Sequence, residues 1–298
     1  MPAGVHEAPE HGRTPSCDKD RRNAAGALPE NLSAPVLIFY VMRLYPEWLH
    51  VISWVYLVLC SVIALWIVSD FLQGQRQKMW IMYGVWPVTA MYFGPLAAWL
   101  YLRTRSVSLA TSPKPDRETK QRMKEMEPTR EQVSVAVFHC GAGCTLGDII
   151  GETGLFVIGG SVATFVGGSD FATKLVVDFV LAYVLGVVFQ YFTIVPMRGL
   201  SPGQGIIAAM RADTISIAAF EIGMFAWMAF TRFVLFPEPA RIYPNVPVYW
   251  FMMQIAMIIG WATSYPANAW LIRKGWKEKM PMYPSIESKQ KHELPRAA

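Results

Sequence analysis

The stretch His139 to Glu152 reads HCGAGCTLGDIIGE and gathers one imidazole, two thiols and two carboxylates inside an apolar segment. Written as a helix, Cys140, Cys144, Asp148 and Glu152 follow one another at i+4, covering roughly 18 Å of axis and drifting over an arc of roughly 120°. Two such side chains have Cβ atoms about 5–6 Å apart. A disulfide needs roughly 3.5–4.5 Å. An intact helix therefore disfavours a Cys140–Cys144 bond but lets both sulfurs share one soft ion. Imidazole and thiolate together suit zinc or copper(I), and His139, Cys140, Cys144 and Asp148 supply four ligands. His139 lies about 100° around the helix from Cys140, so the set requires a distorted turn. Two other uses remain open: the cysteines as a thiol redox pair in an unwound turn, or the whole stripe as scaffold that only specifies helix packing.

Carboxylates inside a membrane are costly and mark ion or proton routes. Glu152, Asp178, Asp213 and Glu221 all fall inside apolar runs and could line such a pathway together with Asp148. The alternative is neutralisation near the interfaces by Lys174, Arg211 or Arg232. Gly143, Gly147 and Gly151 form a second i+4 row beside the polar one, a groove into which another helix can come close. Met224, Met228, Met252, Met253 and Met257 read as core filling before copper ligands. His50 reads as interfacial, since a bis-histidine haem would need it to face His139. There is no phosphate loop, dinucleotide fingerprint or nucleophile elbow, so no catalytic residue is assigned and a transporter is favoured over an enzyme.

The elements that must hold these residues are membrane helices. The chain of 298 residues is 53% hydrophobic and 16% charged, with a mean hydropathy of +0.28. That composition predicts an all-α polytopic membrane protein. Six spans are expected, near 48–68, 79–102, 133–166, 171–195, 206–236 and 248–272, with a kink at Pro87 or Pro95 in the second. Together they form one membrane domain, 46–280, interrupted by a charged loop at 103–132. A disordered tail and interfacial segment (1–45) precedes it, with no signal-peptide core, and a basic tail (281–298) follows. The net charge of +5 lies around the spans rather than in one groove, so the partner is the lipid bilayer and not nucleic acid. The four cysteines form no secreted disulfide framework. With six spans, 22 of the 27 Lys and Arg fall on the side of the two termini, which places both termini in the cytoplasm of a cell with an inner membrane. The sequence carries no signal for an oligomeric state.

The motif His139-Cys140-Gly141-Ala142-Gly143-Cys144-Thr145-Leu146-Gly147-Asp148 resembles the His-Cys-Gly-x-Gly-Cys-x-x-Gly-Asp signature of a bacterial family of multi-pass membrane proteins of unknown function. The segments Met79 to Pro95 and Tyr265 to Gly275 fit the same family. The resemblance, over roughly Pro46 to Met280, implies the spans and marks the motif as their centre. It implies no activity.

Overall fold

The computed structural model describes residues 46–75, 77, 79–104, 127–158, 170–237 and 241–278. The expected N-terminal tail with its interfacial segment, most of the charged loop and the basic tail lie outside the described residues. Among those described, every regular element is helical. They are α1 (Glu47–Leu72), α2 (Met82–Phe93), α3 (Pro95–Thr104), α4 (Arg130–Ile158), α5 (Asp170–Arg198), α6 (Pro202–Phe230), a π turn (Thr231–Leu235) and α7 (Pro247–Arg273). Among the described residues, four stretches are long and apolar enough to cross a membrane: Glu47–Leu72, Arg130–Val157, Phe171–Pro196 and Pro202–Leu235. The chain is a membrane protein. The outer face of α1, with Val55, Val62 and Leu65 exposed, is a surface suited to lipid. The 27 residues of α7 span a comparable length, but Gln254, Asn268 and several aromatic rings dilute its hydropathy.

The helices α4 to α7 form an antiparallel bundle. The glycine row of α4 faces α5, where an added Cβ at Gly143 would lie 2.6 Å from Gly186 Cα, and one at Gly147 would overlap the backbone nitrogen of Ala182. Hydrogen side chains at these positions let the two backbones touch, which maximises dispersion contact where lipid offers no competing hydrophobic drive. Across the bundle, α7 packs on α6 through Thr263, which donates to Ala219 O at 2.7 Å, and Ser264, which donates to Ser216 O at 2.8 Å. The start of α4 is fixed by a reciprocal cap: Gln132 N–H donates to Thr129 Oγ1 at 3.2 Å and Thr129 N–H to Gln132 Oε1 at 3.0 Å. The helix therefore begins well before Cys140. Cys144 falls at its middle, and Glu152 lies near its far end.

The second expected span does not cross. α2 has 12 residues and α3 has 10, about 18 Å and 15 Å of helix, and they double back on each other. The Trp86 and Tyr101 rings are 5.3 Å apart, whereas a continuous helix would separate these positions by roughly 22 Å. Tyr101 also donates to Asp70 Oδ2 at 2.5 Å, while Tyr56 of the same α1 donates to Tyr92 O at 3.1 Å. The reversal has a local cause. Gly94 adopts φ 51° and ψ −125°, a positive φ open to glycine, and a Cβ there would lie 2.9 Å from Cys60 Sγ. Pro95 then opens α3 with its φ preset and no N–H to leave unpaired.

This hairpin corrects the expected topology. The first half of α1 lies beside the start of α7, where Tyr56 meets Phe251 at 5.7 Å, and α1 ends beside the start of α2, where Phe71 meets Tyr83 at 4.9 Å. Trp80, at that same end, meets Phe192 near the end of α5 at 5.1 Å. The start of α1 and the end of α7 thus lie at opposite ends of the bundle. His50 sits at the end opposite to the half that holds His139, so these two histidines do not face each other.

Candidate functional site

Two groups of buried polar side chains occupy the interior, one in each half of the bundle. The first surrounds Lys277, which lies beyond the end of α7. Gly275, at φ 70°, turns the chain back so that the amides of Trp276 and Lys277 both donate to Leu271 O, at 3.0 and 3.3 Å. Trp276 is held by the Arg211 guanidinium 4.4 Å above its ring and by Trp270 at 5.5 Å. The Lys277 ammonium then enters the bundle and donates to Asp213 Oδ1 at 2.6 Å, both side chains being 0% exposed. Burial alone would lower the Lys277 pKa, but the facing Asp213 carboxylate outweighs it and holds the ammonium above the ordinary lysine value. Around this pair, Asn268 Nδ2 donates to Ser216 Oγ at 2.6 Å and to Ser264 Oγ at 2.9 Å. The Cys140 thiol reaches the same Ser216 Oγ at 3.0 Å.

The second group lies beyond the middle of α4. The Cys144 thiol lies against the Glu221 carboxylate, and among the described residues Glu221 has no other hydrogen-bond partner. Asp148 comes next, with Glu221, Asp178 and Glu152 as its acidic neighbours and neither oxygen bonded to a protein group among the described residues. The Asp178 carboxylate occupies the space that a Cβ on Gly151 would fill. Glu152 is ion-paired with Lys174, which also donates to Tyr249 Oη at 3.0 Å. This end opens into a cavity of about 320 Å³ lined by Glu152, Lys174, Asp178, Thr173, Tyr249 and a wall of Met and Phe side chains.

The arrangement brings together some of the expected site residues and separates others. Asp148, Glu152, Asp178 and Glu221 form one cluster, and Asp213 stands apart with Lys277. The four expected metal ligands point three ways. His139 turns to α5, its Nε2 2.6 Å from Thr193 Oγ1 and 3.1 Å from Phe189 O. Cys140 turns to Ser216, while Cys144 and Asp148 turn to Glu221. Among the described residues no three His, Cys, Asp or Glu side chains converge on a point that could hold an ion. The cause is the helix itself: His139 and Cys140 are adjacent, and α4 stays regular through its glycines. Cys60, Cys140 and Cys144 are buried and free.

Sequence reasoning missed Lys277, Ser216, Ser264 and Tyr249. Ser264 and Asn268 stand at i+4 in an apolar run and Gly275 marks a turn, but Lys277 reads as one of many charges in a basic tail.

No curated protein and no solved structure matches the chain. Residues 129–277, the stretch from the cap of α4 to Lys277, match the model of a domain of unknown function (DUF4396). This stretch is half of the chain, and the protein belongs to that family.

Proposed function

We propose that the protein is a transporter of the inner membrane that passes protons, or another small cation, along the buried carboxylates of its four-helix bundle. The observation that carries this reading is charge imbalance. Asp148, Glu152, Asp178, Asp213 and Glu221 are all buried, and among the described residues the ammonium groups that contact them are Lys174 and Lys277. A carboxylate without a partner in hydrocarbon costs several kcal/mol and is relieved by a bound proton or cation. Among the described residues no protein group bonds the two oxygens of Asp148, and Glu221 meets only the Cys144 thiol, so such a particle would sit between these two acids. Cys144 and Glu221 lie between the two polar groups and would link them. Lys277 closes one end, while the cavity opens the other.

The orientation that goes with this reading has five crossing helices and one hairpin entering from the cytoplasmic side. Most of the 27 Lys and Arg belong to the connections and tail at the Lys277 end, which the positive-inside rule places in the cytoplasm. A single cysteine put at Gln73 or at Thr104 in a background without native cysteines should then react with impermeant maleimide from the cytoplasmic side. Labelling of the two from opposite sides would restore a crossing second segment.

Proton movement is tested in liposomes holding the purified full chain and a pH-sensitive dye. An imposed proton gradient should collapse with the native protein and persist with Asp148→Asn, an expected loss of at least tenfold in rate at equal reconstitution. Equal rates for the two would reject the pathway. A soft-metal site of His139, Cys140, Cys144 and Asp148 is the competing reading, favoured by the two free thiols one turn apart. It requires near-stoichiometric copper or zinc, by elemental analysis of the same preparation, that disappears in Cys140→Ala/Cys144→Ala.

A further inference from the structure

Beyond α7, residues 275–278 cross the Lys277 end of the bundle as a short strap, and its outer and inner contacts differ in strength. Outside, Arg198 Nε donates to Glu278 Oε1 at 2.7 Å and Arg198 Nη2 to Gly275 O at 3.5 Å, with the paired side chains 32% and 21% exposed. Half-buried Trp276 leans on the Arg211 guanidinium. Ion pairs and cation–π contacts that water reaches are weak. Inside, the Lys277 ammonium has Asp213 Oδ1, Ser216 Oγ at 3.5 Å and the Cys140 thiol as its neighbours, which take up its three donors. Asp213 Oδ2 and Asn268 Oδ1, on residues 0% exposed, then remain without a hydrogen-bond partner among the described residues. The nest holds more buried oxygen acceptors than its lysine uses.

We infer that the strap is a gate: Lys277 is a tethered ammonium occupying a cation site at Asp213, which a small cation enters when the lysine withdraws. The inference rests on the transport reading and names the place where its route opens at this end. The Lys277 and Asp213 side chains are both 0% exposed, so no cation reaches the carboxylate while the lysine is seated. Withdrawal alone would leave a buried charge uncompensated, which is costly. Exchange for an incoming cation keeps the carboxylate paired throughout, so the weak outer contacts set the resistance to the motion. Gly275 supplies the hinge. Its φ of 70° is open to glycine, and no described residue lies within 4 Å of a Cβ there, so the strap swings without a clash at its base.

The gate is tested on the full chain, first by locking it. In liposomes, a chain with Cys17→Ser, Cys60→Ser, Arg198→Cys and Glu278→Cys is bridged across the strap by a reducible bifunctional methanethiosulfonate. Proton flux should fall at least tenfold and return on reduction, whereas the same reagent should not slow a chain that keeps Arg198 and Glu278. In detergent, Trp276→Ala should speed modification of Cys140 by a cationic methanethiosulfonate at least tenfold. Cys144, deeper in the bundle, should stay unreacted by peptide mass spectrometry, which separates opening from unfolding. Methylammonium, but not tetramethylammonium with no N–H to donate, should restore at least half of the melting temperature that Lys277→Ala loses. Flux that survives the bridge overturns the gate, as does Cys140 modified at the parent rate or together with Cys144. Indifference of Lys277→Ala to methylammonium overturns the cation site. Transport fails separately: if the parent passes no protons while Trp276→Ala still exposes Cys140, the opening strap stands and the transport reading falls.

Discussion

Replacing Lys277 by alanine is expected to lower the melting temperature of the detergent-purified protein by roughly 10 °C, the shift that a loss of about 3–5 kcal/mol produces in a domain of this size. The loss comes less from the missing attraction than from the Asp213 carboxylate, which would stay inside the bundle with its charge uncompensated. The ammonium sits 2.6 Å from Asp213 Oδ1 with both side chains 0% exposed, so water cannot substitute for it without opening the end of the bundle. The same logic predicts rescue. Lys277→Met combined with Asp213→Leu removes both charges, keeps the volume, and should recover most of the lost stability, because apolar replacement of a buried pair is often neutral or better. If Lys277→Ala melted with the parent protein, the pair would not be formed in the membrane domain as described. If the double variant melted as low as the single one, the penalty would lie in lost packing rather than in charge.

Gly147→Leu is the second change of large expected effect. The backbone of Ala182 occupies the space of any side chain at 147, so α4 and α5 must move apart along their shared length rather than let one side chain rotate. The cost should exceed the roughly 3 kcal/mol at the upper end of ordinary overpacking, and the variant should fail to elute as a single species on size exclusion. Gly154 provides the control on the same helix, since no described residue lies within 4 Å of a Cβ there. Gly154→Leu should elute as the parent does. Equal behaviour of the two variants would contradict the close approach of α4 and α5.

Much of this framework was legible in the residues. Apolar runs bounded by charge and aromatic rings gave the long helices. The i+4 spacing of Gly143, Gly147 and Gly151 pointed to a groove, and α5 lies in it. The hairpin was not legible from hydropathy, because a run of apolar residues has the same composition whether it crosses or folds back. The Gly94-Pro95 pair carried the signal: a residue suited to positive φ followed by one that starts helices is a stop and a start, where a lone proline gives only a kink. The divergence of His139 from Cys140 was foreseeable from 100° per residue. What the sequence could not supply was the partner on the facing helix. Ser216, Phe189 and Glu221 decide where each side chain of the motif points, and they lie between 50 and 77 positions away in the chain. The buried lysine was hidden for the same reason, among basic residues that read as a solvated tail.

The pairing of Lys277 with Asp213 also imposes an order on assembly. The two residues are 64 positions apart, and Asp213 leaves the ribosome first, on a helix that must enter the bilayer before its counter-ion has been made. Until α7 and the turn at Gly275 follow, that helix carries an acid without its counter-charge, which is costly in lipid. The last step of folding in this half of the bundle is therefore the entry of Lys277, and a nascent chain halted before it would hold Asp213 unpaired inside an unclosed end.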